Sequence, residues 1–175
     1  MIDNIIHAAI IMTTPVLLAA LGGLVNRVGG LVNIGLDSMM LAGALVGLML
    51  ASQSGEWALA LAGAAIVGGF LGLLMSLCVT RLQADEIIVG LGFNIAVAGL
   101  VRFFLKSAYG SSGTLSLPDV ARLPKIDIPF ITDVPILGAI FSGHDPLTWA
   151  AWIMVPLTGW FLKRTRAGLR LRAAG

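Results

Sequence analysis

Two polar side chains interrupt one of the most apolar stretches of this chain: Asn33 and Asp37, within "GGLVNIGLDSMML". An aspartate at the centre of a membrane-spanning helix costs about 3 kcal/mol on translocon scales, so Asp37 is expected to face protein or water rather than lipid. Gly29, Gly30 and Gly35 weaken the helix just where Asn33 and Asp37 occur. The two are expected to lie one turn apart and so on one face. Two readings are open. In one, the second span is broken or re-entrant and its polar groups line a solute path, since irregular backbone at membrane depth must line a cavity or be buried in protein. In the other, Asn33 caps the cytoplasmic start of a helix and Asp37 sits near the headgroups. Asn94, in "ADEIIVGLGFN", is a third polar group at membrane depth; it either lines the same path or bonds to a neighbouring helix.

No catalytic constellation accompanies these residues. His7 and His144 are far apart in sequence and are expected to flank different outer-side elements. Cys78 is the single cysteine, no Cys-His cluster has metal spacing, and no glycine-rich loop ends in Lys-Ser or Lys-Thr for phosphates. The chain is therefore not expected to be an enzyme or to hold a cofactor or metal of its own.

Membrane helices must position the polar groups. Of the 175 residues, 58% are hydrophobic and 11% charged, a balance that a soluble domain of this size does not carry. The apolar stretches approach 20 residues, enough to cross about 30 Å of hydrocarbon, and lack the alternation of a barrel. The expected fold is all-α, a polytopic transmembrane bundle with about five spans, near residues 5–25, 30–51, 57–79, 87–105 and 147–163. The connectors "NRVGG", "SQSGE" and "RLQADE" are short, whereas the proline-rich connector 106–146 is expected to lie outside the bilayer. Arg27, Arg81 and the tail "KRTRAGLRLR" fall on one side of a five-span chain. The positive-inside rule makes that side the cytoplasm, leaving the N-terminus outside. No nucleic-acid partner is implied by a net charge of +2 gathered at membrane boundaries.

Small residues recur at spacing four: Gly43 with Gly47, Ala58 with Ala62, Gly68 with Gly72, and Gly92 with Ala96. Such spacing lets helix backbones approach within one bundle or across a dimer face. Asp85 and Glu86 open the fourth span, where acids complement the helix dipole. The tail "FLKRTRAGLRLRAAG" leaves the membrane as a basic amphipathic segment, either an anchor with affinity for anionic lipid or a docking helix for a cytoplasmic partner.

Together, "GLVNIGLDSMMLAGAL", "ADEIIVGLGFN" and "PLTWAAWIMVPLTGWFLKRTRAGLRLRAAG" resemble the permease subunits of bacterial ATP-binding-cassette importers of the simple-sugar and nucleoside type, related to the ribose and branched-chain amino-acid permeases. The resemblance runs across nearly the whole chain, in order. Asp37 stands where the family more often has glutamate, and family members are nearly twice as long, so the chain is expected to be the N-terminal part of such a permease. The resemblance implies a transmembrane part, 1–163, followed at 164–175 by the start of a cytoplasmic coupling segment. There Arg164, Arg166, Gly168, Arg170 and Arg172 are candidate contacts for a separate ATP-binding subunit that carries the ATP and magnesium. It further implies a second permease subunit, identical or related, an extracytoplasmic substrate-binding protein, and residence in the bacterial cytoplasmic membrane. The runner-up is part of a secondary transporter driven by an ion gradient, with Asp37 as a proton or cation site. A non-transporting membrane subunit would leave the polar residues of the second span unexplained.

Overall fold

A computed structural model describes residues 2–110, 123–124 and 143–175. Its regular structure is helical: α1 (Ile2–Val28), α2 (Leu36–Ser54), α3 (Trp57–Thr80), α4 (Glu86–Tyr109), α5 (Pro146–Arg164) and α6 (Arg166–Ala174). Ile5–Val28, α2, α3 and α4 are each long and apolar enough to cross a membrane. The protein is thus a polytopic helical membrane protein, its spans helical because a helix pairs most of its backbone polar groups within itself.

α5 coincides with the fifth expected span. Its 19 residues would reach about 28 Å, but two prolines, three tryptophans and the terminal Lys163-Arg164 lower its hydropathy, and it is not among the four apolar helices. Two boundaries differ from expectation. The second span starts at Leu36 rather than near residue 30, because residues 29–35 are unwound. The fourth helix runs past Lys106 to Tyr109, so the long connector is shorter than expected. Most of that connector, with its expected position outside the bilayer, lies outside the described residues.

The chain forms two compact units, one of residues 1–31 and 123–175 and one of residues 32–122. In the second, α2 and α3 pack along each other through small residues. A Cβ added at Gly43 would lie 3.5 Å from the Ala64 carbonyl oxygen, and one at Gly47 3.5 Å from the Ala64 Cβ. The glycines thus bring the two backbones close, which supplies packing where lipid removes the hydrophobic drive. Gly68 and Gly92 meet nothing among the described residues, so the spacing-four pattern has a packing role in this unit at Gly43 and Gly47. Ala42 of α2 joins Val97, Val101 and Leu105 of α4 in a buried cluster, covered by Leu45, Val67, Leu71 and Tyr109.

In the first unit α1 packs on α5, and α6 folds back on α5. The buried hydroxyls of Thr14 and Thr148 lie 3.2 Å apart and hydrogen-bond to each other. His7 of α1 and His144, just before α5, belong to different elements, and their rings stack with centroids 4.5 Å apart. Residues distant in sequence meet because helix packing, not local spacing, sets the contact. No group of three metal-ligating side chains occurs among the described residues.

Candidate functional site

The polar break before α2 is held by one face of α4. Glu86, Gly90 and Asn94 are spaced i, i+4, i+8, so they line a single stripe of that helix. At one end the Glu86 carboxylate accepts the backbone N–H of Val32 at 2.8 Å. At the other, the Asn94 side-chain amide donates to the Ile34 carbonyl at 3.0 Å and accepts the Ser38 N–H at 3.0 Å. Between them, Gly90 lets the unwound strand press against the helix. A Cβ there would fall 2.9 Å from the Ile34 Cβ and 3.1 Å from the Gly35 nitrogen.

These contacts answer the accounting problem of an unwound backbone. Residues 29–35 lack helical partners for several amides and carbonyls, and each polar group stranded away from water costs free energy. α2 has Gly35 at its N-cap position and no side-chain cap of its own. Asn94 supplies the missing acceptor from another helix, and the buried Ser38 hydroxyl donates to the Gly35 carbonyl at 2.6 Å.

Asn33 therefore does not cap α2. It lies in the unwound segment, so the expected one-turn relation to Asp37 on a shared helical face does not hold. Its Nδ2 contacts the Met39 sulfur at 3.8 Å, and its Oδ1 is buried with no hydrogen-bond partner among the described residues. Asp37 is exposed in the first turn of α2, where a negative charge complements the helix dipole. Asp85, as expected for an acid at a helix start, caps α4: its Oδ1 accepts the N–H groups of Ile87 at 2.9 Å and Ile88 at 3.1 Å.

The basic tail begins with an elbow. The Thr165 hydroxyl donates to the Phe161 carbonyl at 2.7 Å and accepts the Gly168 N–H at 3.0 Å, ending α5 and starting α6 with one side chain. Gly168 is buried in the bend, where a Cβ would overlap the Phe161 carbonyl oxygen. Arg164, Arg166, Arg170 and Arg172 are all exposed, whereas Leu171 turns inward toward Gly29.

Residues 5–175 match the model of a family described as the branched-chain amino acid transport system / permease component. The chain belongs to this permease family. It is similar to the guanosine ABC transporter permease protein NupQ of Bacillus subtilis, at 32% identity over 98% of this chain and 55% of the relative. It is also similar to the nucleoside ABC transporter permease protein NupC of Lactococcus lactis, at 30% identity over 98% of this chain and 55% of the relative. A candidate glucose ABC transporter permease protein of Haloferax volcanii, TsgC13, is 26% identical over 98% of this chain and 51% of its own length. The chain spans about half the length of these relatives. No solved structure matches it.

The permease is thus a multi-pass protein of the inner membrane. Of its sequence-predicted path residues, the structure brings Asn94 to the break that contains Asn33, while Asp37 stands exposed on the helix that follows. Of the predicted tail contacts, four arginines are exposed and Gly168 serves the bend. Sequence reasoning missed Glu86 and Gly90 as partners of the break. The signal was present in the spacing of Glu86, Gly90 and Asn94, which marks a polar and small stripe on an otherwise apolar helix.

Proposed function

We propose that this permease forms part of the translocation path of an ATP-driven importer for a nucleoside or simple sugar, with Asn33 and Asp37 as path-lining groups. The family match across residues 5–175 carries this reading, and the names of the nucleoside relatives favour the nucleoside over the sugar. The chain performs no chemistry in this scheme. ATP and magnesium bind a separate cytoplasmic subunit, which biases the permease between inward- and outward-open states through contacts that differ between them. The exposed arginines of α6, on an elbow fixed by Thr165 and Gly168, are the surface offered to that subunit. A second permease, related or identical, completes the path, and a substrate-binding protein delivers solute from the outer side.

The test is to tag the full-length gene product, purify it from its own membranes in mild detergent and identify by mass spectrometry what accompanies it. An ATPase with a phosphate-binding loop, together with uptake that requires ATP, supports the importer. Purification without an ATPase, with uptake that collapses with the proton gradient, overturns it in favour of ion coupling at Asp37.

A further inference from the structure

We infer that Leu171 is a positioning residue: seated beside Gly175 on the Gly29–Gly30 turn that ends α1, it passes the state of the arginine face of α6 to the entrance of the unwound segment. The inference rests on the importer reading in naming an ATPase as the occupant of that face; the seat itself stands on the geometry.

The two leucines of α6 point opposite ways. Leu169 is 51% exposed and shares a face with Arg166 and Arg170, at spacings of three and one. Gly168 and Leu171, with Gly175 just past the helix end, lie on the other side, and this side meets the chain. A Cβ added at Gly29 would fall 2.9 Å from the Leu171 Cδ1, so the leucine fills the space that a side chain at 29 would take. One turn on, backbone meets backbone. A Cβ at Gly30 would lie 3.0 Å from the Gly175 Cα, and a Cβ at Gly175 would lie 2.5 Å from the Gly30 nitrogen and from the Val28 carbonyl oxygen.

The turn under this seat fixes how the chain leaves α1. Gly30 has φ +81°, in the left-handed region that favours glycine. The Gly29 N–H donates to the Asn26 carbonyl at 3.0 Å, the Gly30 N–H to Arg27 at 3.1 Å and the Leu31 N–H to Asn26 at 3.1 Å. Val32 follows at once, its N–H held by Glu86. Close-packed contacts pass a displacement on instead of absorbing it. A partner pressing on the arginine face therefore drives the opposite face onto the turn, with Leu171 as the side chain between. By linkage, a partner that binds α6 more tightly when it is seated also stabilises the three amides of the turn.

The experiment is hydrogen–deuterium exchange of the full-length permease in lipid nanodiscs, alone and with its co-purifying ATPase at a concentration that saturates each form. One peptide covers residues 26–35, and a second, over residues 57–65, serves as the control. Leu171→Ala is expected to speed exchange of the first peptide by about fivefold or more in the permease alone, with the second unmoved. Leu171→Met keeps the volume and is expected to stay within about twofold of the parent. Added ATPase is expected to slow the first peptide in the parent by about threefold or more and to leave it unslowed in Leu171→Ala. If Leu171→Ala does not accumulate in the membrane, Gly175→Ala takes its place, since its methyl group would meet Gly30 and Val28. Unchanged exchange over residues 26–35 in the variant overturns the seat, as does an equal change in both peptides, which marks general loosening. Equal protection by the ATPase in parent and variant overturns the transmission through Leu171. An ATPase that fails to bind the parent overturns the importer reading and the transmission with it, while the permease alone still decides the seat.

Discussion

Asn94 caps α2 from a different helix: its Oδ1 accepts the Ser38 N–H at 3.0 Å, and its Nδ2 reaches back to the Ile34 carbonyl at the same distance. An N-terminal cap is ordinarily supplied by the residue that begins the helix. Here Gly35 occupies that position and has no side chain to offer, so the start of α2 depends on a residue from a separate span.

Replacing Asn94 with leucine strands two backbone groups. Interhelical hydrogen bonds in membranes average about 0.6 kcal/mol, and a buried group left unpaired costs about 1–3 kcal/mol. Asn94→Leu is therefore expected to destabilise the full-length permease by about 1–3 kcal/mol, read as a lower midpoint of thermal aggregation in detergent. Equal midpoints for variant and parent would contradict the two-ended grip.

Glu86 separates acceptor capacity from charge. Glu86→Gln retains an oxygen for Val32 and is expected to keep most of the uptake, because a neutral hydrogen bond is about half as strong as one to a charged acceptor. Glu86→Leu removes the acceptor and should lose most of it. Initial-rate measurements with both variants at matched membrane levels decide the point.

Gly168 stands in a bend with no room for a methyl group. Gly168→Ala must push α6 away from Phe161, and overpacking of this kind costs about 1–3 kcal/mol. The variant should insert normally yet expose the bend to protease. Limited proteolysis giving the parent's pattern would show that the elbow accommodates a side chain.

Arg166 and Arg170 lie one turn apart on α6 and are exposed. Arg166→Ala combined with Arg170→Ala should abolish co-purification of the ATPase without lowering the amount of permease in the membrane. Raising the salt concentration should weaken the parent's association in the same direction, since exposed charge pairs are screened. Retention of the ATPase by the double variant would move the docking surface elsewhere.

Asp37 carries the path assignment. Asp37→Leu in the complete transporter should reduce uptake at least tenfold while leaving ATPase association intact, and Asp37→Asn should retain more. Wild-type uptake in Asp37→Leu would remove Asp37 from the path.

Much of the architecture is written in the apolar runs, because a membrane span must satisfy its backbone within itself and so declares itself by length and composition. The unwound segment before α2 was legible as one of two readings, from Gly29, Gly30 and Gly35 beside Asn33 and Asp37; the other, a helix start capped by Asn33, shares with it the position of a helix beginning here. What holds the break was not. Asp85 and Glu86 read as ordinary acids at a helix start, and Asp85 is one; only the fold separates it from Glu86, whose carboxylate is drawn across to Val32. The meeting of His7 with His144 was hidden for the same reason, since periodicity reports a residue's own helix and says nothing of which helix it will touch. The elbow lay closer to the surface of the sequence. Thr165 three residues before Gly168 is a helix-start signal, overshadowed by the arginines around it.

The separation between the break and its holders has a consequence for biosynthesis. Val32, Ser38 and Ile34 precede their partners on α4 by 54, 56 and 60 residues. When the second span leaves the ribosome, the groups that will hold its entrance have not been made, and an unwound backbone released alone into lipid would carry stranded amides. The entrance of the second span is therefore complete only once α4 has been made, whatever the state of α2 before then.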